Sequence, residues 1–165
     1  MIAGALALLG SATPVAAADV WLSGTSDGSV LLMYGARPPA GEQPNPETIQ
    51  LSLACRTGSG VVRLFVGESS ERLKPGGTAR LTLAAAQVAT TVRAKILPNQ
   101  LAGVPSLQAT APVGSAVFNA MARLGRAGQG TLRVSVGKTW SARFPLKTMG
   151  LKAQQFAQAC GPKAR

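Results

Sequence analysis

The chain has 165 residues, enough for one domain with a sizeable hydrophobic core. Its net charge is +11, aromatic residues are sparse, and it contains no histidine. Without histidine the commonest general base, the commonest metal ligand and the Ser-His and Cys-His nucleophile pairs are all excluded. Two cysteines alone cannot fill a tetrahedral metal site. A non-enzymatic role is therefore expected, with no metal and no cofactor.

Residues 1–18 (MIAGALALLGSATPVAAA) combine an apolar run with small residues at Ala16 and Ala18. This pattern reads as a signal peptide cleaved before Asp19, although no basic residue precedes the apolar run. The expected mature chain, residues 19–165, is a single domain. It contains no stretch long enough to cross a bilayer. A periplasmic or secreted location follows.

Residues 20–23 and 29–34 are predicted to form a hairpin about Asp27-Gly28. Residues 37–47 form a Pro-rich loop. Residues 48–56 alternate, with Ile49, Leu51, Leu53 and Cys55 on one face, so they read as a half-buried strand. Strands follow at 61–66, 78–83, 88–97 and 106–111, with a polar loop over 67–77. In residues 115–124 the period changes. Val117, Ala120, Met121 and Leu124 mark a helix, with Ser115 as its cap and Gly125 as its stop. Residues 131–136 and 139–144 make a second hairpin about Gly137-Lys138. A helix over 148–160 closes the chain and ends at Gly161-Pro162.

In an exported chain, the even pair Cys55 and Cys160 implies a disulfide. It would fasten the last helix to a core strand. The expected fold is mainly β: a sandwich or partly open barrel of about eight or nine antiparallel strands, with two helices.

Charge is unevenly placed. The six carboxylates are Asp19, Asp27, Glu42, Glu47, Glu68 and Glu71, and none follows Glu71. Glu68 and Glu71 share a polar loop with two serines, a composition that usually means solvated surface. The glycines at 125, 128 and 130 imitate a phosphate loop, but their spacing is reversed and no strand precedes them. A helix stop followed by a strand entry accounts for them.

Within the strands, Arg80, Arg93, Lys95, Arg133 and Arg143 each fall out of phase with apolar neighbours. If those strands share a sheet, the five cations share its solvent face. Such a surface attracts polyanions. Aromatics suited to base stacking are scarce beside it, which points away from nucleic acid.

The closing pattern is residues 131–136, then Phe144-Pro145-Leu146, then Ala153, Phe156 and Cys160. With Cys55 near the first core strand, it resembles the end of small secreted proteobacterial β-domain proteins. It is also similar to the VasI-type accessory proteins of type VI secretion. The resemblance implies an envelope-located, non-enzymatic β-domain and carries no functional residues across.

The function expected from these readings is an exported binding module. Arg80, Arg93, Lys95, Arg133 and Arg143 would engage an anionic envelope component (lipid headgroup, lipopolysaccharide or wall polymer) or an acidic protein. The alternative is a structural or accessory subunit of a cell-envelope or secretion complex.

Overall fold

The computed structural model describes residues 18–100 and 102–162. Among them are nine strands: β1 (Asp19–Ser26), β2 (Ser29–Ala36), β3 (Ile49–Arg56), β4 (Val61–Val66), β5 (Thr78–Ala85), β6 (Val88–Leu97), β7 (Ser106–Pro112), β8 (Thr131–Val136) and β9 (Trp140–Pro145). Helix α1 (Ala116–Arg126) lies between β7 and β8, and α2 (Lys152–Cys160) follows β9. All neighbouring strands are antiparallel, in the order β1-β2-β3-β4-β7-β6-β5-β8-β9. The sheet is a mainly β, curled, partly open barrel.

Period-two patterning builds its inner face. Leu51, Leu53 and Cys55 on β3 are buried, as are Val62, Leu64 and Val66 on β4 and Leu81, Leu83 and Ala85 on β5. Leu132, Val134 and Val136 on β8 complete the same surface. The inner rung Tyr34–Leu51–Val66–Leu107 reaches β6 at Ile96. The inner rung that starts at Phe144 passes through Leu132 and Ala85 and reaches β6 at Val88. The two rungs meet again across the seam, where Tyr34 and Phe144 stack edge to face at 5.4 Å. That displacement along β6 is the stagger a sheet needs in order to curl on itself.

Side chains fasten the seam between the first and last strands. The Trp21 indole Nε1–H donates to the Pro145 carbonyl at 2.8 Å, and the Trp21 backbone N–H donates to Thr148 Oγ1 at 3.0 Å. Trp21 packs edge to face on Tyr34 at 5.3 Å. Between Tyr34 and Gly35 the β2–β3 register shifts. A Cβ at Gly35 would lie 2.4 Å from the Thr48 carbonyl oxygen, so this bulge admits only glycine.

Cys55 and Cys160 form the disulfide, with Cα atoms 5.7 Å apart. Gly58 and Gly60, in the β3–β4 turn, donate their N–H groups to the carbonyls of Ala159 and Cys160 at 2.9 and 2.8 Å. Carbonyls at the end of α2, which no helical N–H can reach, are thereby satisfied. The helix is joined covalently to β3 and by hydrogen bonds to the turn that follows it.

Several local expectations need correction. Ser115 stands at the α1 N-cap, yet its side chain makes no capping bond and its buried hydroxyl has no partner. Gly125 does not stop α1. It lies inside the helix, buried, where a Cβ would meet Met149 Sδ at 2.8 Å. The stop comes just beyond Ala127, where Gly128 takes a positive φ of 64°. The β8–β9 loop has three residues, Gly137, Lys138 and Thr139, because Val136 pairs with Trp140. Finally, α2 begins at Lys152; the residues from Thr148 form turns around Gly150, whose φ is 55°. The leader expected over 1–18 lies outside the described residues except for Ala18. Among the described residues no helix is long and apolar enough to cross a membrane.

Candidate functional site: the basic outer face

The topology brings together strands that are distant in sequence. β5 pairs with β6 on one side and with β8 on the other, and β9 follows β8. Their inner faces belong to the core. Their outer faces carry Arg80, Arg93, Lys95, Arg133 and Arg143, all exposed. The five cations singled out by strand phase therefore share one surface.

Their register is specific. Arg80 stands directly opposite Arg93, and Arg133 stands directly opposite Arg143. Between the two arginine pairs runs a rung of hydroxyls, Thr91–Thr82–Ser135–Ser141. Thr82 Oγ1 and Thr91 Oγ1 are hydrogen-bonded at 2.9 Å. The rung holding Arg133 and Arg143 continues through Ala84 to Ala89, whose methyl groups leave the arginines unobstructed. Lys95 stands between Thr78 and Gln108. The Arg93 guanidinium donates to Thr78 Oγ1 from Nε at 3.4 Å and Nη2 at 3.3 Å, which leans it toward the neighbouring strand.

Strand geometry sets the scale. Arg80 and Ala84 are four residues apart on β5, so the two arginine rungs lie about 13 Å apart along the strands. The four strands span about 14 Å across. A shallow depression of about 430 Å³ lies at Thr78–Arg80 and Thr91–Arg93. No carboxylate lies anywhere on β5, β6, β8 or β9.

One further cation belongs to this surface. Arg63 on β4 is exposed and pairs with Thr110 on β7. Thr110 is one step past the last β7–β6 pair, Ala109 with Ala94, on the line that leads to Arg93. Its outward phase was readable between Val62 and Leu64. The hydroxyl rung had no sequence signal, since it exists only once β5 is known to pair with β8.

The acidic residues lie elsewhere. A groove of about 1010 Å³ opens where β1 and β3 begin and β4 and β6 end. Asp19, Glu47 and Glu68 line it, together with Ile49, Phe65, Leu97, Trp140, Ala142 and Phe144. No lysine or arginine does so among the described residues. Glu71 is not part of this lining, so the loop pair Glu68 and Glu71 is not gathered into one cleft. Among the described residues, only Val61 and Leu151 are large hydrophobics counted as exposed.

The chain matches no protein-family model, and neither curated proteins nor solved structures return a match to it.

Proposed function

We propose that this chain is an exported binding module that holds an anionic envelope component on the outer face of β5, β6, β8 and β9. The observation that carries the reading is the pair of directly opposed arginines on each side of a hydroxyl rung. Like charges directly opposite each other in a sheet are destabilising. Two such pairs, with no interleaved carboxylate, hold positive charge that the fold itself does not need. A bound anion would relieve the repulsion.

Spacing selects the kind of anion. A single phosphate or carboxylate fits between two guanidinium groups, but it cannot reach two rungs about 13 Å apart. A ligand that repeats its charges, such as a sulfated or phosphorylated polymer or a packed layer of anionic headgroups, engages both. Arginine forks donate paired N–H groups to such oxygens, and the threonine and serine hydroxyls between them supply further donors. The disulfide and the apolar run at residues 2–9 support an extracytoplasmic setting, where ligands of this class are abundant.

The test uses the full mature chain with dextran sulfate, phosphatidylglycerol vesicles and an acidic peptide as probes. Binding to the first two is expected to fall steeply with salt, because exposed charges are screened within about 8 Å at physiological ionic strength. Arg93→Gln combined with Arg133→Gln is expected to weaken it at least ten-fold at constant fold stability. An affinity indifferent to salt and to both substitutions overturns the proposal. A preference for the acidic peptide alone replaces the envelope component with a protein partner.

A further inference from the structure

The groove at the barrel mouth has the opposite character to the basic face, and we propose that it is a second binding site, for an organic cation with an apolar body. This proposal stands independently of the one above.

Three observations converge. The first is size: about 1010 Å³, at the upper end of the range that accommodates small organic ligands. The second is lining. The inner face of β9 contributes Trp140, Ala142 and Phe144, and Ile49 and Leu97 contribute further apolar surface. Trp140 is only half-buried, so part of its indole stays accessible, and the face of an indole attracts cations more strongly than any other side-chain ring. The third is charge. The chain has 17 lysines and arginines against 6 carboxylates, yet three of those carboxylates and no described lysine or arginine line the groove, so that even with the α-amino group freed by cleavage before Asp19 it stays acidic. On a molecule of net charge +11, carboxylates outnumber cations here.

The Asp19 carboxylate is held by a side-chain contact, and the backbone around Glu68 is tied down. Gln50 Nε2 donates to Asp19 Oδ2 at 2.7 Å. Ser69, beside Glu68, donates to the Pro105 carbonyl from its N–H at 2.9 Å and its hydroxyl at 2.6 Å. The Gly67 N–H donates to the Gln50 carbonyl at 2.9 Å. Loop and strand ends are thus tied into one wall. Asp19 also makes itself felt inside: the Tyr34 phenol is pushed above its ordinary pKa of 10.0, first by burial and then by the Asp19 charge. An alkyl or aryl ammonium fits these features. A bare metal ion does not, since the apolar wall offers it few ligands.

The mature chain with its disulfide intact is titrated with decyltrimethylammonium, decyl sulfate and decyl maltoside, each below its micelle concentration. The two indole N–H resonances are followed by NMR, with Trp140→Phe assigning them. The expected result is a saturable shift of the Trp140 signal by decyltrimethylammonium alone. Glu47→Gln with Glu68→Gln should weaken it at least ten-fold, whereas Arg133→Gln with Arg143→Gln on the outer face should leave it unchanged. Both double variants alter exposed residues, so retained melting curves are expected. An equal shift with decyl maltoside, or indifference to the glutamate substitutions, reduces the mouth to an unselective apolar groove and overturns the proposal. Absence of any saturable shift overturns it as well. Loss of dextran sulfate binding in the arginine variants bears only on the outer face, so failure at one site is distinguishable from failure at the other.

Discussion

The two faces of strand β5 meet opposite demands. Leu81, Leu83 and Ala85 point inward and are essentially sealed from water, while Arg80 and Thr82 point outward toward Arg93, Thr91 and Ser135. Burial of the inner set drives folding, at roughly 1.5–3 kcal/mol for each large apolar side chain. The outer set contributes little to that total and includes like-charge pairs that oppose it. A face that costs stability calls for an explanation in binding, while a face that supplies stability does not.

Several experiments can break or sharpen this contrast. The largest effect belongs to the inner face. Replacing both Cys55 and Cys160 by serine removes a link across a sequence separation of 105 residues. Loop-closure entropy puts that loss at about 4–5 kcal/mol. For a domain of this size it corresponds to a melting temperature lower by roughly 10–20 °C, measurable by calorimetry. Next comes Leu83→Ala beneath the arginine rungs, with an expected loss of about 2–5 kcal/mol in urea denaturation. A loss below about 1 kcal/mol there would mean the inner face is loosely packed.

The outer face should answer with the opposite sign. Arg93→Glu turns a repulsive cross-strand pair with Arg80 into an attractive one and is expected to stabilise the fold by several tenths of a kcal/mol. The same substitution should weaken polyanion binding. Destabilisation by Arg93→Glu would remove the argument that these charges are kept for a ligand. The smallest effect lies at the seam. Tyr34 is the chain's single tyrosine, so absorbance at 295 nm reports it alone. Its folded-state pKa is raised by burial and then by Asp19. The stability it lends is therefore complete below pH 10.0 and declines as pH climbs through the folded value, because the unfolded phenol ionises first. Tyr34→Phe should flatten that alkaline decline relative to the parent chain.

Much of the fold was legible because alternation survives in nearly every strand. Val62, Leu64 and Val66 against Arg63, or Leu132, Val134 and Val136 against Arg133, leave little room for another reading. The fastening of the last helix was readable from Cys55 lying in phase with Leu51 and Leu53. What stayed hidden depended on partners distant in sequence. Gly125 looked like a helix end because glycine usually ends helices. Here it makes room for Met149, which approaches from beyond β9. The arginines were recognisable one at a time, but their opposition across strands required the pairing of β5 with β6 and the three-residue β8–β9 loop that sets Arg133 opposite Arg143. The mouth was illegible altogether, being assembled from the ends of strands and the loops between them.

The Trp21 latch has a consequence for how the molecule comes into being. Its hydrogen-bonding partners, Pro145 and Thr148, emerge 124 and 127 residues after it from any machine that synthesises or threads the chain from its N-terminus. The first strand can pair with β2 at once, but its seam stays open until those residues have arrived. A chain truncated before Pro145 lacks this latch and should be cut by proteases faster than the full chain.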